Sequence, residues 1–145
     1  MAGPAGTGKD HLLVALLREA IVCYGFKVQW LNGQNLFRMF RDQIDSGKSE
    51  ASFIQAFERP DILAISDPIP PKGETSNYTA HMLYQIIDSR YRVMKSTWVT
   101  ANVATRQEGE AALSAPIFDR LLDNAFTLFC NWPSYRQSRK PEWLK

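Results

Sequence analysis

Cysteine and histidine are scarce in this chain of 145 residues, two of each. The cysteines, Cys23 and Cys130, stand far apart in sequence. Each is flanked by apolar or aromatic neighbours, a pattern of two buried thiols that argues against a disulfide framework or a cysteine-based metal site. Long apolar runs are also lacking, since none approaches the roughly 20 residues that cross a bilayer. Met1 leads into a glycine-rich stretch with no signal-like segment, so the expectation is a cytoplasmic protein without a membrane partner. Nor does one sign of charge dominate. A formal net charge of +2 and a pI near 8.6 are too mild to specify a nucleic-acid partner, although they leave room for a local basic patch. What the chain does have is 45% hydrophobic residues over 145 positions, enough for the core of one compact domain spanning residues 1–145.

Its most informative stretch comes first. Gly3, Pro4, Ala5, Gly6, Thr7, Gly8 and Lys9 have the G-x-x-x-x-G-K form of a phosphate-binding loop. Glycines at those places let successive backbone N–H groups turn inward around a pyrophosphate, and Lys9 reaches the outer phosphates. The run from Asp10 and His11 to Ala20 carries the apolar face of the helix that must follow such a loop, its positive end toward the anion. The expected ligand is therefore a nucleoside triphosphate or its product, ATP or ADP, with Mg²⁺. One position departs from the pattern. Where a Ser or Thr hydroxyl ordinarily joins the Mg²⁺ shell stands Asp10, a full negative charge close to a polyanion. A flexible tail ending in Asp10 as a helix cap is the plainer reading of the same residues.

Downstream, strand and helix patterns alternate. Residues 26–31 read as a strand between Gly25 and Asn32-Gly33, residues 35–44 and 52–57 as helices, and Ile62-Leu63-Ala64-Ile65 as a strand covered on both faces. A loop over 68–76, a helix over 78–91, a strand over 97–100, a helix over 117–124 and a last strand over 125–129 complete the order. A second Gly47-Lys48-Ser49 lacks the upstream glycine and reads as a loop. Alternation after a phosphate loop predicts an α/β fold, a mostly parallel sheet with helices on both faces, whose ligand sits at the carboxyl ends of the strands. Only Met1 and Ala2 precede Gly3, so the strand that should enter the loop is expected to be largely missing, either because the working chain begins upstream or because the domain is truncated.

Six pieces in order, GPAGTGKDHLLVAL, DILAISD, MLYQIIDSRY, STWVTANV, FDRLLDNA and NWPSYR, resemble the AAA+ ATPases of the DnaC/IstB type, which load replicative helicases or assist transposases. The resemblance spans nearly the whole chain, and its ending is more similar to the helicase loaders. It implies that Lys9 holds the β and γ phosphates and that Asn102 orients the attacking water. It also implies that Arg120 is a finger reaching a neighbouring subunit, which makes a homo-oligomer the nucleotide-bound form. Read from the residues alone, Asn102 turns a strand end and Arg120 pairs with Asp119 or Asp123.

Two registers are open at the acidic strand end. In one, Ser66 takes the metal-site place and Asp67 that of the acid activating water; in the other, Asp67 takes the metal and Pro68 follows it. The first suggests an exchange, with Asp10 bound to Mg²⁺ directly and Ser66 holding a metal water, so that the charge around the ion is conserved. The competing account is degeneration, in which Asp10 pairs with Lys9 or caps the helix and repels triphosphate. It leaves a non-hydrolysing interaction domain in replication or a transposition helper. Trp132, Tyr135, Arg136, Arg139, Lys140, Trp143 and Lys145 interleave aromatic and basic residues, as single-stranded DNA binding would use, or as an ordinary solvated terminus with a docked Trp would show.

Overall fold

Alternate side chains of a strand point to opposite faces, so a strand buried along its whole length needs cover on both sides. The computed structural model describes residues 1–45, 47, 49–69 and 77–136. In chain order its elements are α1 (Lys9–Tyr24), β1 (Val28–Asn32), α2 (Gly33–Asp45), α3 (Glu50–Glu58), β2 (Ile62–Ser66), α4 (Asn77–Arg92), β3 (Ser96–Thr100), α5 (Arg106–Leu113) and α6 (Ala115–Leu122). The strands pair in the order β1-β2-β3, all parallel, with Ser66 opposite Asn32 on one side and Thr100 on the other.

Every residue of β2 is buried. Leu63 and Ile65 face the larger core, with Leu36, Phe37 and Phe40 of α2, Ile54 and Phe57 of α3, and Met82, Leu83, Ile86 and Ile87 of α4. Ile62 and Ala64 face the other way, against Leu13, Leu17 and Ala20 of α1. The sheet is thus covered by helices on both faces, as the patterning predicts.

Beside β3 the sheet continues through isolated bridges at Ala2. Ala2 bridges Ala101 on one side and Phe129 on the other, both parallel. Ala101 N donates to Met1 O at 2.9 Å, Ala2 N to Leu128 O at 2.9 Å and Cys130 N to Ala2 O at 2.8 Å. Met1 and Ala2 occupy the lane of the strand that feeds the phosphate loop. This corrects the expected strand over 125–129, where the structure has a single bridge at Phe129.

Two other expectations differ, and two more fall partly outside the described residues. The helix expected over 117–124 begins earlier, with Pro116 in its first turn, and α5 precedes it without having been expected. Cys130 is buried but Cys23 is exposed, because it lies near the end of α1 on the side away from the sheet. Residues 70–76, most of the expected loop, and Lys48 of the second Gly-Lys-Ser lie outside the described residues.

Arg90, wholly buried in α4, closes the base of the sheet. Its guanidinium donates to Phe57 O at 2.6 Å, Pro60 O at 3.0 Å, Asp61 O at 3.2 Å, Ser96 O at 2.5 Å and Thr97 Oγ1 at 3.1 Å. These acceptors belong to the segments that enter β2 and β3, so one fork sets where both strands begin. Burial pushes the Arg90 pKa down to about 10, partly offset by Asp61 and Glu58. Lysine offers a point charge in place of the planar fork and leaves several carbonyls unmatched. Arg90→Lys is expected to cost about 3 kcal/mol of stability, read as a lower urea midpoint with an unchanged slope.

Candidate functional site

Parallel strands end on one edge, and the phosphate loop opens on that same edge. The loop enters α1 through Gly8, whose φ of 84° is left-handed, with Gly6 at 83° before it. Lys9 is folded back on this turn, its Nζ donating to Gly3 O at 2.8 Å and Pro4 O at 2.7 Å and lying 3.5 Å from Thr7 Oγ1. Thr7 Oγ1 in turn donates to Pro4 O at 2.9 Å. Burial holds the Lys9 ammonium below its ordinary pKa, with Arg136 adding to the effect and Cys130, Asp10 and Asp67 opposing it.

Asp10 is exposed and turned toward the sheet, where its Oδ1 accepts from Thr100 Oγ1 at 2.7 Å. The carboxylate therefore neither caps the helix nor takes the Lys9 ammonium, the two pairings on which the degenerate reading drew. Ser66 is buried and its Oγ accepts from Trp30 Nε1 at 2.9 Å, which leaves its own O–H to donate. Asp67 follows in the left-handed region at φ 51°, one that Asp tolerates better than most residues. Its amide donates to Thr100 O at 2.8 Å and its Oδ2 accepts from Asn102 Nδ2 at 2.9 Å. Gly33 makes this turn possible, because a Cβ there would stand 2.1 Å from Asp67 O.

Asp10, Ser66 and Asp67 thus line one open cavity of about 350 Å³, together with Asn32, Gly33, Gln34, Phe37 and Ile69. Two carboxylates and a hydroxyl are hard oxygen donors of the kind Mg²⁺ takes when substrate phosphates complete its shell. Among the described residues no group of three or more His, Cys, Asp or Glu is placed to hold a metal by itself. The donor set therefore fits an ion shared with a ligand.

Arg120 lies elsewhere. Its Nε meets Asp88 Oδ1 at 2.7 Å, Nη1 donates to Pro116 O at 3.0 Å and Nη2 to Tyr84 Oη at 3.0 Å, with the guanidinium 4.9 Å from the Tyr84 ring centre. Its partner is Asp88 of α4 and not Asp119 or Asp123; Asp123 accepts instead from Tyr91. The residues after Cys130 include a docked tryptophan. Trp132 Nε1 donates to Thr7 O at 2.9 Å and the Tyr135 amide to Gly6 O at 3.0 Å, so this segment lies on the phosphate loop. Arg139, Lys140, Trp143 and Lys145 lie outside the described residues.

Residues 1–142 match the family of IstB-like ATP binding proteins. The chain belongs to that family. A Geobacillus stearothermophilus protein of insertion sequence IS5376, named for ATP binding, is 30% identical over 142 residues, covering 95% of this chain and 55% of the relative. The replicative helicase loader DnaC of Escherichia coli K12 is 30% identical over 137 residues, covering 93% and 54%. This IstB-like chain spans about half the length of the curated relatives it matches. The crystal structure of a DnaC helicase loader superposes on it with a TM-score of 0.75 at 20% identity, over 90% of this chain and 75% of that one. The fold is that of an AAA+ P-loop domain, and no described helix is long and apolar enough to cross a membrane.

In this IstB-like chain the Thr100 hydroxyl is the direct link between the first helix and the strand ends. Thr100→Val keeps the shape and removes the donor to Asp10. Because Asp10 is exposed and regains water, the expected cost is small, about 1 kcal/mol in the urea midpoint.

Proposed function

We propose that this chain is one ATP-binding unit, residues 1–145, that holds ATP or ADP with Mg²⁺ on the edge where the phosphate loop meets the strand ends. The observation that carries this is the convergence of Lys9, Asp10, Ser66 and Asp67 on that edge, three of them around a single cavity. Gly3 to Lys9 cradle the phosphates, while Asp10 and His11 open the helix beneath them. On binding, the Lys9 ammonium exchanges the Gly3 and Pro4 carbonyls for phosphate oxygens. Mg²⁺, when bound, neutralises charge between the phosphates and the carboxylates. Asp10 would hold it directly and Ser66 through a water, with Asp67 beside them.

Asp67 and Asn102, already hydrogen-bonded, would position the attacking water, Asp67 as acceptor of its proton and Asn102 as donor. With a serine in the place of the usual metal-site acid, hydrolysis should be slow. An arginine-finger role for Arg120 requires it to leave Asp88 and Tyr84 and reach a neighbouring protomer, which couples nucleotide to assembly of a homo-oligomer. By its family, the chain would act in the cytoplasm with a replicative helicase or a transposase, and with single-stranded DNA.

A second reading, a non-hydrolysing interaction domain in replication or transposition, draws on one observation. Lys9 already satisfies itself on the loop's own carbonyls.

Thermal unfolding separates the two. Mg·ATP at a hundredfold excess over its dissociation constant adds about 2.7 kcal/mol to a folded state that binds it. A rise of several degrees is expected, and it should vanish in Lys9→Ala. Asp10→Asn should weaken binding when Mg²⁺ is present and strengthen it when Mg²⁺ is removed. Stronger binding by Asp10→Asn in Mg²⁺ would end the exchange of metal ligands, and no shift in the folded wild type would favour the second reading.

A further inference from the structure

Two loop carbonyls are held from outside, and the partners come from the far end of the described chain. Thr7 O accepts from Trp132 Nε1 at 2.9 Å across 125 residues of sequence, and Gly6 O accepts from the Tyr135 amide at 3.0 Å. Ser134 seals the contact between them. A Cβ at Gly6 would stand 2.0 Å from Ser134 Oγ, so the glycine serves this approach as well as its left-handed φ.

A trans peptide is planar, and its C=O and N–H point in opposite directions. Fixing Gly6 O toward Tyr135 therefore aims the Thr7 N–H away from residues 132–135. Fixing Thr7 O toward Trp132 does the same for the Gly8 N–H. These are successive amides of the phosphate-loop motif. Two adjacent amides oriented alike make an anion-binding concavity. Ordinary core packing does not account for the segment, since Trp132 is 37% exposed and Tyr135 60% exposed. What the two residues bring to the loop is directional hydrogen bonding.

We infer that residues 132–135 form a strap that orients the phosphate loop, with the Trp132 indole and the Tyr135 amide as positioning groups for a bound pyrophosphate moiety. The inference rests on the nucleotide reading above and deepens it. The strap acts through the loop carbonyls. It lowers the cost of binding by holding Thr7 and Gly8 in the conformation the anion needs, so its contribution belongs to the phosphates and not to the nucleoside.

The test is calorimetric titration of the whole chain with Mg·ADP and, separately, with magnesium pyrophosphate. Trp132→Phe keeps the ring and removes the N–H. It should weaken both ligands by the same factor, about five- to tenfold for one lost hydrogen bond. The melting temperature without ligand should stay close to that of the wild type. Tyr135→Pro, which removes the other donor, should give a similar loss and carries the test if the first variant does not fold. Wild-type affinity in either folded variant overturns the strap and leaves the nucleotide reading intact, as does a loss confined to ADP. A folded wild type that binds neither ligand overturns both.

Discussion

Parallel pairing is the constraint on which the rest of this structure depends. Strands that run the same way must end on the same edge, and each needs a crossover to return. With Ser66 in register between Asn32 and Thr100, three polar strand ends arrive side by side. The helices that return the chain bury Leu63 and Ile65 on one face and Ile62 and Ala64 on the other. That cover excludes water from β2 and leaves the carboxyl edge of the sheet as a place where polar groups can gather. Arg90 fixes the opposite end by gripping carbonyls that precede β2 and the first carbonyl of β3. A slip of one residue would bury Asp67 and turn Ser66 out of the cavity.

On the proposed reading, a carboxylate on the helix and a hydroxyl on the strand stand where the common arrangement has a hydroxyl on the helix and a carboxylate on the strand. Thr100 reconciles the two sides. It donates through its side chain to Asp10 and accepts through its carbonyl from Asp67, so a single strand residue sets the position of both acids. On the proposed reading the ion shell keeps its count of acidic oxygens, with one acid moved from β2 to α1.

Most of the layering was legible in the sequence because it rests on local pattern. The unbroken apolar run Ile62 to Ile65 marked the fully buried strand, and the three-and-four spacing of Met82, Leu83, Ile86 and Ile87 marked α4. The phosphate loop was legible because glycine, lysine and helix come at fixed spacing. Helix α5 carried a signal that went unused: Thr105 and Glu108 have the spacing of a helix-entry pair, Thr105 accepting from the Glu108 amide and Glu108 from Ala104 N. Other features had no local signal. The Trp30 bond to Ser66, the Arg120 bond to Asp88 and the contact of Trp132 with Thr7 join residues 36, 32 and 125 positions apart. No spacing rule reaches across such separations. Ala125 to Phe129 have strand-like composition, but pairing and not composition decides a strand, and among the described residues they make one bridge, to Ala2.

The central claim is that a divalent ion brought in with nucleotide sits between Asp10 on α1 and Ser66-Asp67 at the end of β2. Backbone amide spectra recorded with ADP and either Mg²⁺ or paramagnetic Mn²⁺ test it most directly. The account predicts that Mn²⁺ selectively broadens the signals of Gly8, Lys9, Asp10, Ser66, Asp67 and Thr100, and that Asp10→Asn weakens the effect. Broadening centred elsewhere, or none at saturating ADP, would contradict it.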